Sequence, residues 1–284
     1  MSANAGNRLL QHYVDNFRRL PWRSPPGSPP PEPYRVWLSE VMLQQTTVAT
    51  VTPRFERFLD RWPTVEALAA APDAEVMQEW AGLGYYARAR NLIACARAVA
   101  ASGGFPTDEA GLRKLPGVGA YTAAAVAAIA FGEAVVPVDT NVERVVARLH
   151  ALTDKAAIPS AAKAMLPEGR AGDFAQGLMD LGASTCRPKA PLCGECPLAT
   201  ECKALALDTP EAFPTPKAKK ARPQRFGIAW WIQREGQVWL VRRPAKGMNV
   251  GIASAIAMRI VMRSLNPGDR SPSSLITSFP FRLP

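Results

Sequence analysis

Four of the five cysteines, Cys186, Cys193, Cys196 and Cys202, lie within seventeen residues in the spacing C-x6-C-x2-C-x5-C. Four thiolates this close along a chain can converge on one centre, and soft sulfur ligands suit zinc or an iron–sulfur cluster. Zinc knuckles pair two tight C-x2-C units; here only one pair is that tight, and the wider arms suit a cluster larger than a single ion. Residues 1–8 carry no basic region followed by an apolar stretch, so no secretory signal is expected and metal binding is preferred over disulfides. Cys95 sits in an Ala-rich stretch and reads as a small buried hydrophobe. The only histidines are His12 and His150, which removes most His-based triads and metal sites.

Two further stretches have types and spacing suited to chemistry. Leu115-Pro116-Gly117-Val118-Gly119 lies between two helical stretches, and its glycines permit a tight turn that exposes backbone N–H groups to a phosphate. Read without context it is an ordinary turn. About twenty residues on, Val136-Pro137-Val138-Asp139-Thr140-Asn141 places Asp139 as a helix N-cap. Glu40 stands among apolar neighbours in Trp37-Leu38-Ser39-Glu40-Val41-Met42-Leu43, where a helical glutamate is more often a solvated one.

These residues need elements to hold them. Residues 1–20 read as a short amphipathic helix through Leu9, Leu10, Tyr13, Val14 and Phe17, and the seven prolines of 21–33 end it. From Tyr34 to about Gly182 the pattern is helical, with breaks expected at positions including Pro53, Pro63, Pro72, Gly103–Gly104, Pro116–Gly117, Pro137 and Pro159. No βαβ alternation is present, so a mainly α fold is expected. Residues 203–225 are rich in Pro and Lys and read as a linker. Phe226–Gln233 and Gln237–Arg243 flank Arg234-Glu235-Gly236 as a β-hairpin.

The 284 residues suit about two domains at ~150 residues each. A chain 48% hydrophobic, 20% charged and with mean hydropathy −0.07 is a globular one, and no apolar run reaches the ~18–20 residues that cross a bilayer. The net charge is +10, and it sits entirely after residue 202, where 14 basic side chains face 4 acidic ones. A basic segment suggests a polyanionic partner, or else a solvated tail.

The cysteine spacing closely resembles the 4Fe–4S loop of the helix-hairpin-helix (GPD) DNA glycosylase superfamily, and L-P-G-V-G resembles its hairpin. The segment W-L-S-E-V-M-L-Q-Q-T, together with Gly82-Leu83-Gly84-Tyr85-Tyr86-Ala87-Arg88-Ala89-Arg90-Asn91 and Leu20-Pro21-Trp22-Arg23, resembles the adenine glycosylase (MutY) branch. The resemblance covers about residues 10–202 and implies a two-lobed fold: a six-helix lobe over about 34–135 and a cluster lobe from 1–33 plus 136–202. It implies one 4Fe–4S cluster on Cys186, Cys193, Cys196 and Cys202, a monomer, and duplex DNA as partner, with no membrane. A cytoplasmic location, nucleoid-associated if the source is bacterial, goes with it.

The resemblance also implies roles. Glu40 is the acid that protonates adenine, and Asp139 stabilises the oxocarbenium ion, with Tyr121 and Asn141 beside it. Arg23 lines the adenine pocket. Gln45 and Tyr85 insert into the duplex, Leu83 and Thr46 lie against the opposite base, and Arg88 belongs to the same DNA-binding segment. Tyr85 is expected to be exposed and Tyr86 packed. Gly117, Val118 and Gly119 meet the backbone, as do Arg187 and Lys189 of the cluster loop. Bifunctional relatives carry a Schiff-base lysine where this chain has Tyr121, and Glu143 stands where some adenine glycosylases have a lysine; the implied enzyme is therefore monofunctional. The implied substrate is adenine opposite 8-oxoguanine or guanine. A bifunctional glycosylase/lyase on oxidised pyrimidines and an inactive cluster-bearing DNA-binding protein are the alternatives. Residues 226–284 resemble only the first hairpin of a MutT-like domain, with an unmatched tail from about 251 that suggests a frameshift, a truncation or a divergent lineage, and a weaker preference for 8-oxoguanine over guanine.

Overall fold

The computed structural model describes residues 2–215 and the backbone of 233–234 and 237–238. The chain divides into two units, Met1–Lys217 and Ala218–Pro284. The first is helical: α1 (Ser2–Asp15), α2 (Pro33–Leu43), α3 (Val48–Arg61), α4 (Val65–Ala70), α5 (Asp73–Glu79), α6 (Ala87–Ala101), α7 (Glu109–Leu112), α8 (Ala120–Phe131), α9 (Thr140–His150), α10 (Ile158–Ala164), α11 (Ala171–Ser184) and α12 (Lys203–Ala206). No helix among the described residues is long and apolar enough to cross a membrane.

Two cores organise this unit. One gathers Trp22 and the inward faces of α2 to α8, with Trp37, Phe55, Phe58 and Trp80 at its centre. The other joins Ala5, Leu9 and Leu10 of α1 to Val142, Val146, Phe174 and Leu178 of α9 and α11. Trp22 thus packs with the first core, although it precedes Pro33, because its ring meets Phe55 edge-on at 5.2 Å.

Between the cores lies α8, whose sequence AYTAAAVAAIAF has no polar face and is buried from Thr122 to Ala130. It packs against α2 on one side and α11 on the other, and α11 packs in turn against α9. Small residues allow the close approach: a Cβ on Gly172 of α11 would stand 3.0 Å from the Ala128 carbonyl oxygen of α8.

Local chemistry accounts for the helix starts that matter. Pro33 opens α2, where its missing N–H is no loss. Thr47 caps α3 by accepting from the Thr50 N–H. The break expected at Pro53 does not occur, since Pro53 lies inside α3. One hydrogen bond is lost there, but Val51, Phe55 and Phe58 on the same helix are fully buried, and their burial outweighs it.

The stretch read as a linker from 203 is in part ordered on the first unit. Residues Lys203–Ala206 form α12 against α9, and the Phe213 carbonyl accepts from Arg148 Nε at 3.0 Å. Residues 216–225 of that stretch lie outside the described residues. In the second unit Gln233–Arg234 pairs antiparallel with Gln237–Val238, in the register Gln233 opposite Val238, around the turn expected at 234–236. The rest of the MutT-like resemblance and the tail from 251 lie outside the described residues.

Candidate active site

Both candidate carboxylates line one cavity of about 380 Å³, together with Arg23, Tyr121, Asn141, Gln176, Met179 and Asp180. Glu40 projects from α2, a helix buried from Tyr34 to Met42 apart from Arg35, and is itself 8% exposed. Burial pushes its carboxyl up to about 7; the adjacent Tyr121 hydroxyl and the Arg23 charge pull it down, and the Asp139 charge pushes it up. A carboxyl poised at this value holds a proton half the time near neutrality.

Asp139 approaches from α9. It is the N-cap of that helix: Oδ1 accepts from the Asn141 N–H at 2.8 Å and the Val142 N–H at 2.7 Å. Oδ2 accepts from Asn141 Nδ2 at 2.9 Å. Three donors fix the carboxylate's orientation. Asn141 is fixed in its turn, because Arg144 Nη2 donates to its Oδ1 at 2.9 Å. Arg144 also donates to the Gly182 carbonyl at 2.6 Å and the Cys186 carbonyl at 2.7 Å. Gly182 is needed there, since a Cβ would lie 2.6 Å from Asn141 Cβ.

Tyr121, at the start of α8, donates to Met179 Sδ at 3.6 Å and stands beside Glu40. Burial, with the Glu40 and Asp139 charges adding to it, holds its phenol well above the ordinary value. Arg23 is clamped by Asp180, with Nη1 to Oδ2 at 2.6 Å and Nη2 to Oδ1 at 3.0 Å, and Arg18 donates to the same carboxylate at 3.0 Å. The cavity therefore joins a protonatable acid, an oriented carboxylate and a buried ion pair. No lysine lines it.

The family model described as "HhH-GPD superfamily base excision DNA repair protein" matches residues 38–167, a span that includes both carboxylates. An adenine DNA glycosylase of Buchnera aphidicola subsp. Schizaphis graminum is 31% identical over 247 residues, covering 84% of this chain and 70% of that protein. The chain belongs to the adenine DNA glycosylase family. An adenine DNA glycosylase of Arabidopsis thaliana is 37% identical over 288 residues, covering 86% of this chain and 46% of that protein. The human adenine DNA glycosylase is 44% identical over 212 residues and matched over 38% of its length. The chain thus spans about half the length, or less, of these last two relatives. Among solved structures, a thermostable thymine-DNA glycosylase superposes with a TM-score of 0.65 at 29% identity, covering 72% of this chain and 97% of that one. Endonuclease III in a trapped covalent DNA intermediate superposes with a TM-score of 0.60 at 26% identity, covering 72% and 95%.

In this adenine DNA glycosylase family member, the residues expected at DNA divide into two groups. Gln45 and Tyr85 are exposed, and each is a non-glycine residue at positive φ, 57° and 46°. Tyr85 is 62% exposed, while Tyr86 packs on the first core. Gly117 sits at φ 72°, where a Cβ would lie 2.5 Å from Asn91 Cβ, and Gly119 begins α8 with no side-chain cap, so its first N–H groups are open. Lys189 is exposed.

The other group points inward. Leu83 is 5% exposed and belongs to the first core, so its side chain presents no surface to an opposite base. Val118 is 8% exposed, which leaves the hairpin's backbone as its outward part. Thr46 is half-buried and donates to the Gln44 carbonyl at 3.2 Å. Arg187 Nη2 donates back to the Ala190 carbonyl at 2.9 Å. Arg88 donates to the Val41, Met42 and Leu83 carbonyls at 2.9, 3.2 and 2.9 Å, so its guanidinium is engaged within the protein. A sequence in which every cation looks alike gives no sign of this difference.

The four cysteines surround the loop after α11, and Cys186, Cys196 and Cys202 pack beside the second core. Among the described residues no group of His, Cys, Asp or Glu side chains is drawn together tightly enough for a single metal ion. The Cys186, Cys193 and Cys202 thiols do lie near enough to Cys196 for their charges to act on it. Burial pushes the Cys196 thiol up to about 11, so a thiolate there would need a cation close by. Arg148 holds the loop from beneath, with Nη1 on Cys186 Sγ at 3.4 Å and the Arg187 carbonyl at 2.7 Å, and Nη2 on the Pro188 carbonyl at 3.1 Å. Arg144, Arg148 and Asp180 were not among the residues singled out from sequence. The one available signal was the i, i+4 repeat of arginines on α9, which reads equally as a solvated stripe.

Proposed function

We propose that this chain excises adenine from duplex DNA where adenine stands opposite 8-oxoguanine or guanine. The observation that carries the reading is the cavity shared by Glu40, poised at about 7, and Asp139, oriented by three donors. Adenine leaves poorly as an anion. Glu40 delivers a proton to N7 of the extruded base, the C1′–N9 bond breaks, and the deoxyribose takes on oxocarbenium character. Asp139 offers its negative charge to that cation, and water completes the hydrolysis at C1′. Tyr121 occupies the place of a Schiff-base lysine, which supports a monofunctional glycosylase that leaves an abasic site uncut.

Cys186, Cys193, Cys196 and Cys202 would hold one 4Fe–4S cluster. When bound, that cluster supplies a rigid, redox-active anchor for the loop and none of the hydrolytic chemistry. Lys189, the open N–H groups at Gly119 and the exposed Gln45 and Tyr85 support binding of duplex DNA by a monomer, located with the chromosomal DNA. The test is single-turnover excision on duplexes with adenine opposite 8-oxoguanine, guanine or thymine, with and without alkali. Strand cleavage at the two mispairs alone, and only after alkali, is expected. Cleavage without alkali would replace this reading with that of a glycosylase/lyase.

A further inference from the structure

Two short turns carry exposed side chains on strained backbone: Gln45, which lines the cavity, at φ 57°, and Tyr85 at φ 46°. They come from distant parts of the chain, and one side chain reaches both. Arg88 donates to the Leu83 carbonyl in the turn that carries Tyr85. It approaches Thr46 Oγ1, next to Gln45, at 3.5 Å. Its remaining bonds go to the Val41 and Met42 carbonyls, directly after Glu40 in the last turn of α2. The guanidinium lies over Trp80 at 5.3 Å and over Tyr85 at 5.7 Å from the ring centres.

We infer that Arg88 is a positioning residue that holds the Gln45 and Tyr85 turns in one fixed relation to the helix carrying Glu40. A non-glycine residue at positive φ is strained and persists only where its surroundings hold it. Here a planar fork supplies the hold, because it can reach several carbonyls at once. The helix end gains too: the last carbonyls of α2 lack helical partners, and Arg88 satisfies two of them. Wedge and acid are thereby one rigid assembly. A base pushed out by the wedge arrives at a proton donor whose position is already set.

The inference rests on the reading of this cavity as a base-extruding site, and its test avoids adenine. A duplex bearing a tetrahydrofuran abasic analogue, with 2-aminopurine as the neighbouring base, reports unstacking by the wedge as a fluorescence rise. Arg88→Met and Arg88→Lys are compared with the unaltered protein at saturating concentrations, after thermal melting has confirmed folding. Lysine keeps the charge and the aliphatic stem but cannot fork, so it is the variant expected to fold where methionine fails. Both variants should lose at least fivefold of the saturating rise. With Tyr85→Ala already present, adding Arg88→Met should change the signal less than twofold. A full rise with Arg88→Lys would mean that charge alone matters and would overturn the inference. So would effects of Arg88→Met and Tyr85→Ala that simply multiply, or melting that falls with the rise unchanged. Absence of adenine excision by the unaltered protein would count against the proposed function only, since the abasic duplex holds no adenine target.

Discussion

Asn141 turns its amide nitrogen onto Asp139 Oδ2 at 2.9 Å while its amide oxygen is held by Arg144. The carboxylate that faces the cavity is therefore oriented through a side chain that itself has no freedom to rotate. Replacing Asn141 with alanine leaves Asp139 its two backbone donors and removes the third. A fall of about 10² in single-turnover excision is expected, with duplex affinity unchanged, by analogy with the loss of one preorganised donor. An unaltered rate would show that the backbone cap alone orients Asp139.

The excision rate should follow the protonated fraction of Glu40. With the carboxyl at about 7, the rate should be flat below that value and fall as pH rises through it. Between pH 6 and pH 8 a drop of roughly tenfold is expected from a single ionisation. A rate that stays level to pH 9 would remove Glu40 from the acid role.

The same shift has a consequence for stability. A carboxyl whose folded value lies above its unfolded value favours the folded state at low pH, and that contribution is lost as pH rises through the folded value. For Glu40 the window runs from about 4.5, its ordinary value, to about 7. Glu40→Gln should therefore melt like the unaltered protein at pH 4 and higher than it at pH 8, by up to roughly 3 kcal/mol. Calorimetry at the two pH values reads this directly, and equal melting at pH 8 would contradict it.

Gly117→Ala should weaken every duplex alike. The position has φ 72°, and the added carbon would stand 2.5 Å from Asn91 Cβ, so the hairpin must shift. A stability loss of about 1–3 kcal/mol is expected. In the proposed binding mode the hairpin meets phosphate and reads no sequence, so affinity should fall equally for mispaired and matched duplexes. Loss confined to the mispair would give the hairpin a role it is not assigned here.

Arg187 and Lys189 are neighbours with different work. Lys189 is exposed, and its replacement by alanine should lower the slope of log affinity against log salt by about 1. Arg187 is bonded back to Ala190 inside the loop. Its replacement should leave that slope nearly unchanged and speed loss of the proposed 4Fe–4S cluster in chelator. Salt titration and a chelation time course separate the two.

Much of this was legible in the residues. The spacing of Cys186, Cys193, Cys196 and Cys202, the L-P-G-V-G turn and the N-cap signature at Asp139 are local, and local signals survive in a sequence. The helical class follows from the period of the apolar residues and the absence of βαβ alternation. What was hidden is tertiary. Leu83 and Arg88 stand in a glycine- and tyrosine-rich stretch that looks outward along its whole length, yet both turn in, because the first core and the end of α2 need them. Pro53 looked like a stop, and three buried side chains on its own helix overrode it. Asp180 became part of the site only when α11 brought it to Arg23, 157 positions away.

Glu40 and Asp139 stand on the outer members of a stack of four helices, α2, α8, α11 and α9, each in contact with the next. The inner layer α8 has seven alanines among its twelve residues, and its neighbour meets it at glycine and alanine: Gly172, Ala171 and Ala175. Those methyl groups act as a shim. Their thickness sets the gap between proton donor and carboxylate as surely as either acid's own rotamer does. The spacing of the helices that carry the two carboxyls is thus written in side chains that carry no functional group at all, and a single added methylene in that layer would alter it while both acids remain untouched.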